Sequence, residues 1–138
     1  MLPSGGMADD LELLDKGDLY DLATKLLVND RDAISKCVEF VLADTKGLWH
    51  GRARAKMCRR LKHCELSKEQ QAQLVDRIIS RLCSGDFAEQ FNDQLRFALS
   101  VDPQRVFEAA LNNLSGSPKG HVRRYSTWVL EHRKSRLT

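Results

Sequence analysis

Apolar residues in this chain return every three to four positions, and a glycine or cap-forming residue stops each run before the next begins. Ile34, Cys37, Val38, Val41 and Leu42 keep the i, i+3, i+4, i+7, i+8 spacing of one buried helical face, and Leu74, Val75, Ile78, Ile79 and Leu82 form a second such face. No stretch sustains the period-2 alternation of a half-buried strand. The pattern therefore predicts an all-α chain, an antiparallel array of about seven helices.

The punctuation sets the boundaries. A first helix or helix pair covers about 8–28, with Gly17 as its break and Leu11, Leu14, Leu19, Leu22, Ala23, Leu26 and Leu27 as its apolar residues. Asn29 or Asp30 caps a second helix that runs to about 44, and Gly47 ends that unit. A third helix spans about 50–64. Ser67 with Gln70 forms a capping box for the fourth, which Gly85 stops. Phe87 to Ser100 is the fifth. Asp102-Pro103, a cap followed by proline at the first helical position, opens the sixth, and Ser117-Pro118 repeats that device ahead of the last helix at about 120–135.

With 138 residues, 42% of them hydrophobic and only 7% aromatic, the chain suits one core built from Leu, Val, Ile and Ala. Residues 8–138 are read as a single α-helical domain and 1–7 as a disordered leader. The start lacks a basic n-region and an apolar h-region, and no run of about 18 apolar residues occurs, so neither secretion nor membrane insertion is expected. Cys37, Cys58, Cys64 and Cys83 form no C-x-x-C pair, and three of them fall at apolar-periodic positions. Free, mostly protected thiols in a reducing cytoplasm are the expectation.

The net charge of +3 hides a local concentration: residues 47–64 carry six Lys or Arg and no acid. On a helix, Ala53, Met57, Leu61 and Cys64 share one face, while Arg52, Lys56, Arg59 and His63 follow i, i+4, i+7, i+11 on the other. Cations about 5 to 6 Å apart along a helix match the spacing at which phosphates or acidic side chains are engaged. The plainer alternative is a solvated face whose long side chains pair with acids on neighbouring elements, such as the Asp-rich first helix. The last helix is basic too, through Arg123 and Arg124, and Trp128 lies four residues after Arg124, where a cation–π contact and base stacking are sterically easy. Ordinary core packing is the alternative for Trp128. Trp49, in the turn after Gly47, is either a plug for the helix junction or an exposed anchor for a partner.

Chemistry is not indicated. Cys58 points roughly 140° away from His63 on a helix, and no fourth ligand has metal-like spacing. There is no Gly-rich phosphate loop, nucleophile elbow, H-E-x-x-H or EF-hand pattern. No catalytic residue, metal or cofactor is assigned.

The stretch Ser117-Pro118-Lys119-Gly120-His121-Val122-Arg123-Arg124-Tyr125-Ser126-Thr127-Trp128-Val129-Leu130 resembles the second helix of a HEAT-type repeat, in which a Val-Arg pair precedes small residues and a Leu lies seven after the Arg. Ala53-Arg54 to Leu61 resembles it less closely, with Arg54 at the edge of the apolar face, as suits the partly buried arginine of such repeats. The usual first-helix proline is missing, and the intervals between Gly17, Gly47, Gly85 and Gly116 vary. The resemblance implies a short right-handed α-solenoid that presents a surface. On this reading the chain is a non-enzymatic interaction module offering its basic helices to an acidic protein surface or helix. The alternative is a DNA- or RNA-binding domain using helices 50–64 and 120–136. A second alternative, a HEAT-like DNA-processing enzyme, requires a cleft lined by an aromatic and a carboxylate, for which the sequence names no pair.

Overall fold

The computed structural model describes residues 10–87, 90–116 and 118–137, the last four as backbone only. All regular structure among the described residues is helical. Seven α-helices of ten residues or more are present: α1 (Lys16–Lys25), α2 (Arg31–Leu42), α3 (His50–Leu61), α4 (Lys68–Ser84), α5 (Asn92–Val101), α6 (Pro103–Ser115) and α7 (Gly120–Leu137). A 3-10 turn, Leu26–Val28, follows α1.

Caps place most of the boundaries. Asp15 and Asp18 form a reciprocal capping box at α1, with the Asp18 amide donating to Asp15 at 2.9 Å. The break in the first segment therefore falls at residues 13–15, ahead of Gly17, which sits inside the first turn of α1. Leu27, counted as apolar face in the sequence, is exposed, because the tighter 3-10 turn rotates it outward. Asp30 caps α2 through the Ala33 amide, and Ser67 and Gln70 close their box at 3.0 Å in each direction. Asp102 alone separates α5 from α6 and caps the latter, with Pro103 in the first turn. Gly85 ends α4 at φ +79, where a side chain is strained, and a Cβ there would meet His121 and Val122 at 2.7 and 2.9 Å. The expected cap at Ser117 and the leader at 1–7 lie outside the described residues.

Two further boundaries differ from the sequence reading. Helix α3 stops at Leu61, and residues 63 and 64 tighten into i→i−3 bonds, His63 N–H to Arg60 O at 3.0 Å and Cys64 N–H to Leu61 O at 3.1 Å, so His63 lies beyond the helical stripe. Helix α5 starts at Asn92 rather than Phe87, whose ring instead stacks on Phe91 at 4.2 Å between centroids. Phe87 and Phe91 also meet Tyr125 edge-on, tying the start of α5 to α7.

The helices alternate between two layers. α1, α3 and α5 pack side by side in one, and α2, α4 and α6 in the other; α7 lies against α6 and reaches α4. One apolar cluster runs from Leu11 to Val129 between them, with Phe40, Met57, Leu61, Leu74, Ile78, Phe91, Leu95 and Phe97 fully buried. No helix among the described residues is long and apolar enough to cross a membrane.

The four cysteines are free. Burial pushes the Cys37 and Cys58 thiols up to about 12, so thiolate is scarce at both. Cys64 is half-buried and Cys83 exposed on α4, which the expectation of general protection did not separate. Native alkylation followed by mass spectrometry should modify Cys83 first and leave Cys37 and Cys58 until the protein is unfolded. Equal labelling of all four would contradict these placements.

Candidate cationic cleft

Helix α3 is the element on which both candidate faces depend. Its Met57, Cys58 and Leu61 are buried, as their spacing requires, and Arg54 and Ala55 are buried with them. Arg52 and Arg59 are exposed and Lys56 half-buried, on the side that turns toward α1 and α5. Between these three helices lies an open cleft of about 730 Å³. Lys16, Leu19, Tyr20 and Ala23 of α1 form one wall, Trp49, Arg52, Ala53, Lys56 and Arg59 the floor, and Gln90, Asn92 and Asp93 the far side.

Two aromatic rings stand in this cleft, both exposed to solvent: Trp49 at 38% and Tyr20 at 54%. Trp49 adopts a left-handed backbone conformation, φ 71, at the start of α3, where it supplies no side-chain cap. Lys16 Nζ lies 4.3 Å from the Trp49 ring centroid, and the Arg52 guanidinium lies 5.2 Å from it. Lys56 Nζ sits 3.9 Å over Tyr20, and its hydrogen bond and charge hold the Tyr20 phenol below its ordinary pKa. Trp49 is thus an exposed ring beside cations rather than a buried plug.

The charges of the stripe divide between a neighbouring helix and solvent. Arg59 is tied to Asp93 of α5 at 2.8 Å, and Arg96 reaches the same carboxylate at 3.4 Å. Arg52 and Lys56 have no ion pair among the described residues, and no acid of α1 bridges to the stripe. Helix α1 does face α3, but it contributes Lys16 and Tyr20, one turn apart, rather than its aspartates. That i, i+4 pair was visible in the sequence and was obscured by the acidic residues around it.

The remaining sequence candidates fall elsewhere. Trp128 is half-buried, and its cation is Arg96 of α5 at 5.3 Å, not Arg124, which lies over its neighbour Tyr125. His132 stacks on Trp128 at 5.6 Å. Among the described residues, Trp128 connects to the cleft through Arg96 and Asp93. Arg123, Arg124 and His63 are exposed and do not line the cleft. Among the described residues, no group of three or more His, Cys, Asp or Glu is placed to hold a metal. The chain matches no family model, no curated protein and no solved structure.

Proposed function

We propose that this protein is a non-enzymatic binding module whose cleft takes single-stranded nucleic acid. The observation that carries the reading is the interleaving of two exposed aromatic rings, Trp49 and Tyr20, with Lys16, Arg52 and Lys56 in one concavity. Cations that track phosphates beside rings on which bases stack are the general means of sequence-tolerant strand binding. Exposed rings can also anchor a protein partner, but rings alternating with cations along one concavity match the repeat of bases and phosphates in a strand. A cleft with an aromatic and a carboxylate, which an enzyme reading requires, does exist here, but Asp93 is occupied by two guanidiniums and is poorly placed to act as a base. The alternation of two helix layers and the burial of Arg54 support a HEAT-like scaffold, whereas exposed Arg123 does not follow that pattern. Four unpaired cysteines favour a cytoplasmic setting.

Fluorescence anisotropy with a labelled mixed-sequence oligonucleotide tests the proposal. Wild-type protein should bind at low salt, with log K falling by about 0.7 per phosphate contact for each tenfold rise in salt. Reversing Arg52 and Lys56 to Glu should weaken binding by at least about tenfold while the protein stays folded, since exposed Arg52 costs within about 0.5 kcal/mol and half-buried Lys56 loses one ring contact worth about 0.5–1 kcal/mol. Trp49→Ala should remove stacking worth about 1–3 kcal/mol. No binding at low salt, or binding indifferent to all three changes, would sink the reading. Capture of an acidic peptide with the same dependence on Arg52 and Lys56 but none on Trp49 would assign the cleft to a protein partner instead.

A further inference from the structure

On the other side of α3, away from the cleft, two arginines are buried side by side. Arg54 is 8% exposed and Arg81 is 5% exposed. Arg81 is well satisfied: Nε and Nη2 donate to Asp44 at 3.3 and 3.0 Å, Nη2 also to the Ala43 carbonyl at 3.1 Å, and Nη1 to Gln94 at 2.8 Å. Arg54 is not. Its Nη2 donates to the Thr45 carbonyl at 2.7 Å and to the Thr45 hydroxyl. Among the described residues, its buried Nε has no acceptor, Nη1 has none, and no carboxylate lies within ion-pair distance. Burial, then the neighbouring Arg81, pulls its pKa down to about 10, so it remains a cation at neutral pH. A buried charge without a counter-ion is costly enough that one is normally supplied.

The surroundings have room for one and the right polarity. A cavity of about 190 Å³ is lined by both arginines together with Lys46, Gly47, Gly51 and Gln94. That volume equals several water molecules at about 30 Å³ each, enough for a five-heavy-atom ion. Two carboxylates also line it, but Asp44 is engaged by Arg77 and Arg81, and Asp86 by Lys46 at 3.6 Å. Arg54, Arg81 and Lys46 against Asp44 and Asp86 leave one positive charge in excess. The first turn of the twelve-residue α3 opens beside the cavity at Gly51, with no side-chain cap, and the Gly51 and Arg52 amides have no acceptor among the described residues. Free amides at a helix N-terminus favour an anion independently of the guanidiniums.

We propose that Arg54, Arg81 and the uncapped first turn of α3 form a binding site for a small tetrahedral oxyanion, with inorganic phosphate as its simplest ligand. The donors left free, Arg54 Nη1 and the Gly51 and Arg52 amides, come from separate groups and suit an ion with several acceptor oxygens over a halide, while Arg81 contributes its charge. The site is separate from the cleft and does not depend on nucleic-acid binding there.

The test is a phosphate titration of the full chain against chloride at matched ionic strength, followed by amide NMR and by thermal melting. Phosphate should shift the Gly51 and Arg52 amides saturably, with a dissociation constant of about 1 mM or tighter, and raise the melting midpoint as a ligand specific to the folded state does. Arg54→Lys, which keeps the charge and loses the free Nη1 donors, should weaken phosphate at least tenfold, while the Lys56→Glu cleft variant should bind it as wild type does. If Arg54→Lys fails to fold, the wild-type amide titration still decides. A response that chloride reproduces overturns the proposal, as does phosphate binding lost in the cleft variant but retained in Arg54→Lys.

Discussion

Leu61→Ala should lower the unfolding free energy by roughly 2–5 kcal/mol, the range for truncating a leucine in a close-packed core. Leu61 is 1% exposed at the end of α3 and belongs to the cluster that joins the two helix layers. The loss should appear in urea melts as a lower midpoint at an unchanged slope. Ile79→Ala, which the helical pattern would treat as equivalent, should cost distinctly less, because Ile79 is only half-buried at the core margin while Ile78 beside it is fully buried. Equal losses in the two variants would show that burial at these positions is misassigned.

Asp44→Asn should cost about 2 kcal/mol or more. Removing one partner of a fully buried ion pair costs roughly 3–5 kcal/mol, mostly because the other charge is left behind, and here the figure is reduced because Asp44 itself is half-exposed. The charge left behind belongs to Arg81, which already lies against the cationic Arg54. Burial works to raise the Asp44 pKa, but the hydrogen bonds and charge of Arg81, with help from Arg77, outweigh it and hold the carboxyl below its ordinary range. A depressed carboxyl pKa contributes stability that is complete above the unfolded-state value and is lost as pH falls through the folded-state value. The wild type should therefore lose this increment below about pH 4. Asp44→Asn should lack that part of the acid limb, so the two melting curves converge at low pH. A constant offset down to the acid transition would mean that the ion pair is not its source.

Helix number and most boundaries were legible in the sequence because Asp30, Ser67 with Gln70, Asp102-Pro103 and Gly85 act locally, through bonds to amides or carbonyls one turn away. The α5 start was misplaced because Phe87 keeps helical spacing with Phe91 and Leu95 while its ring is used to staple the segment to Tyr125, a contact 38 residues distant. The basic stripe was legible as a row, and Arg52, Lys56 and Arg59 do share one cleft. Its partners were not legible, since Tyr20 and Asp93 arrive from helices on either side and nothing near α3 in sequence announces them. Arg81 escaped notice for a related reason: on an amphipathic helix it reads as one more solvated cation, and only the turn at 43–44 shows where it goes.

That turn has a consequence for how the layers are held in register. Apolar contact between helices is non-directional, and an interface made of Leu, Ile and Val alone has little to choose between packings that differ by a slip of about 5.4 Å, one helical turn. Arg81 breaks that degeneracy. Its bonds to Ala43, Asp44 and Gln94 join α4, the end of α2 and α5 at fixed angles, and no slipped arrangement can make all of them. The polar seam thus works as a key among otherwise interchangeable oily surfaces, selecting one packing from several of similar burial.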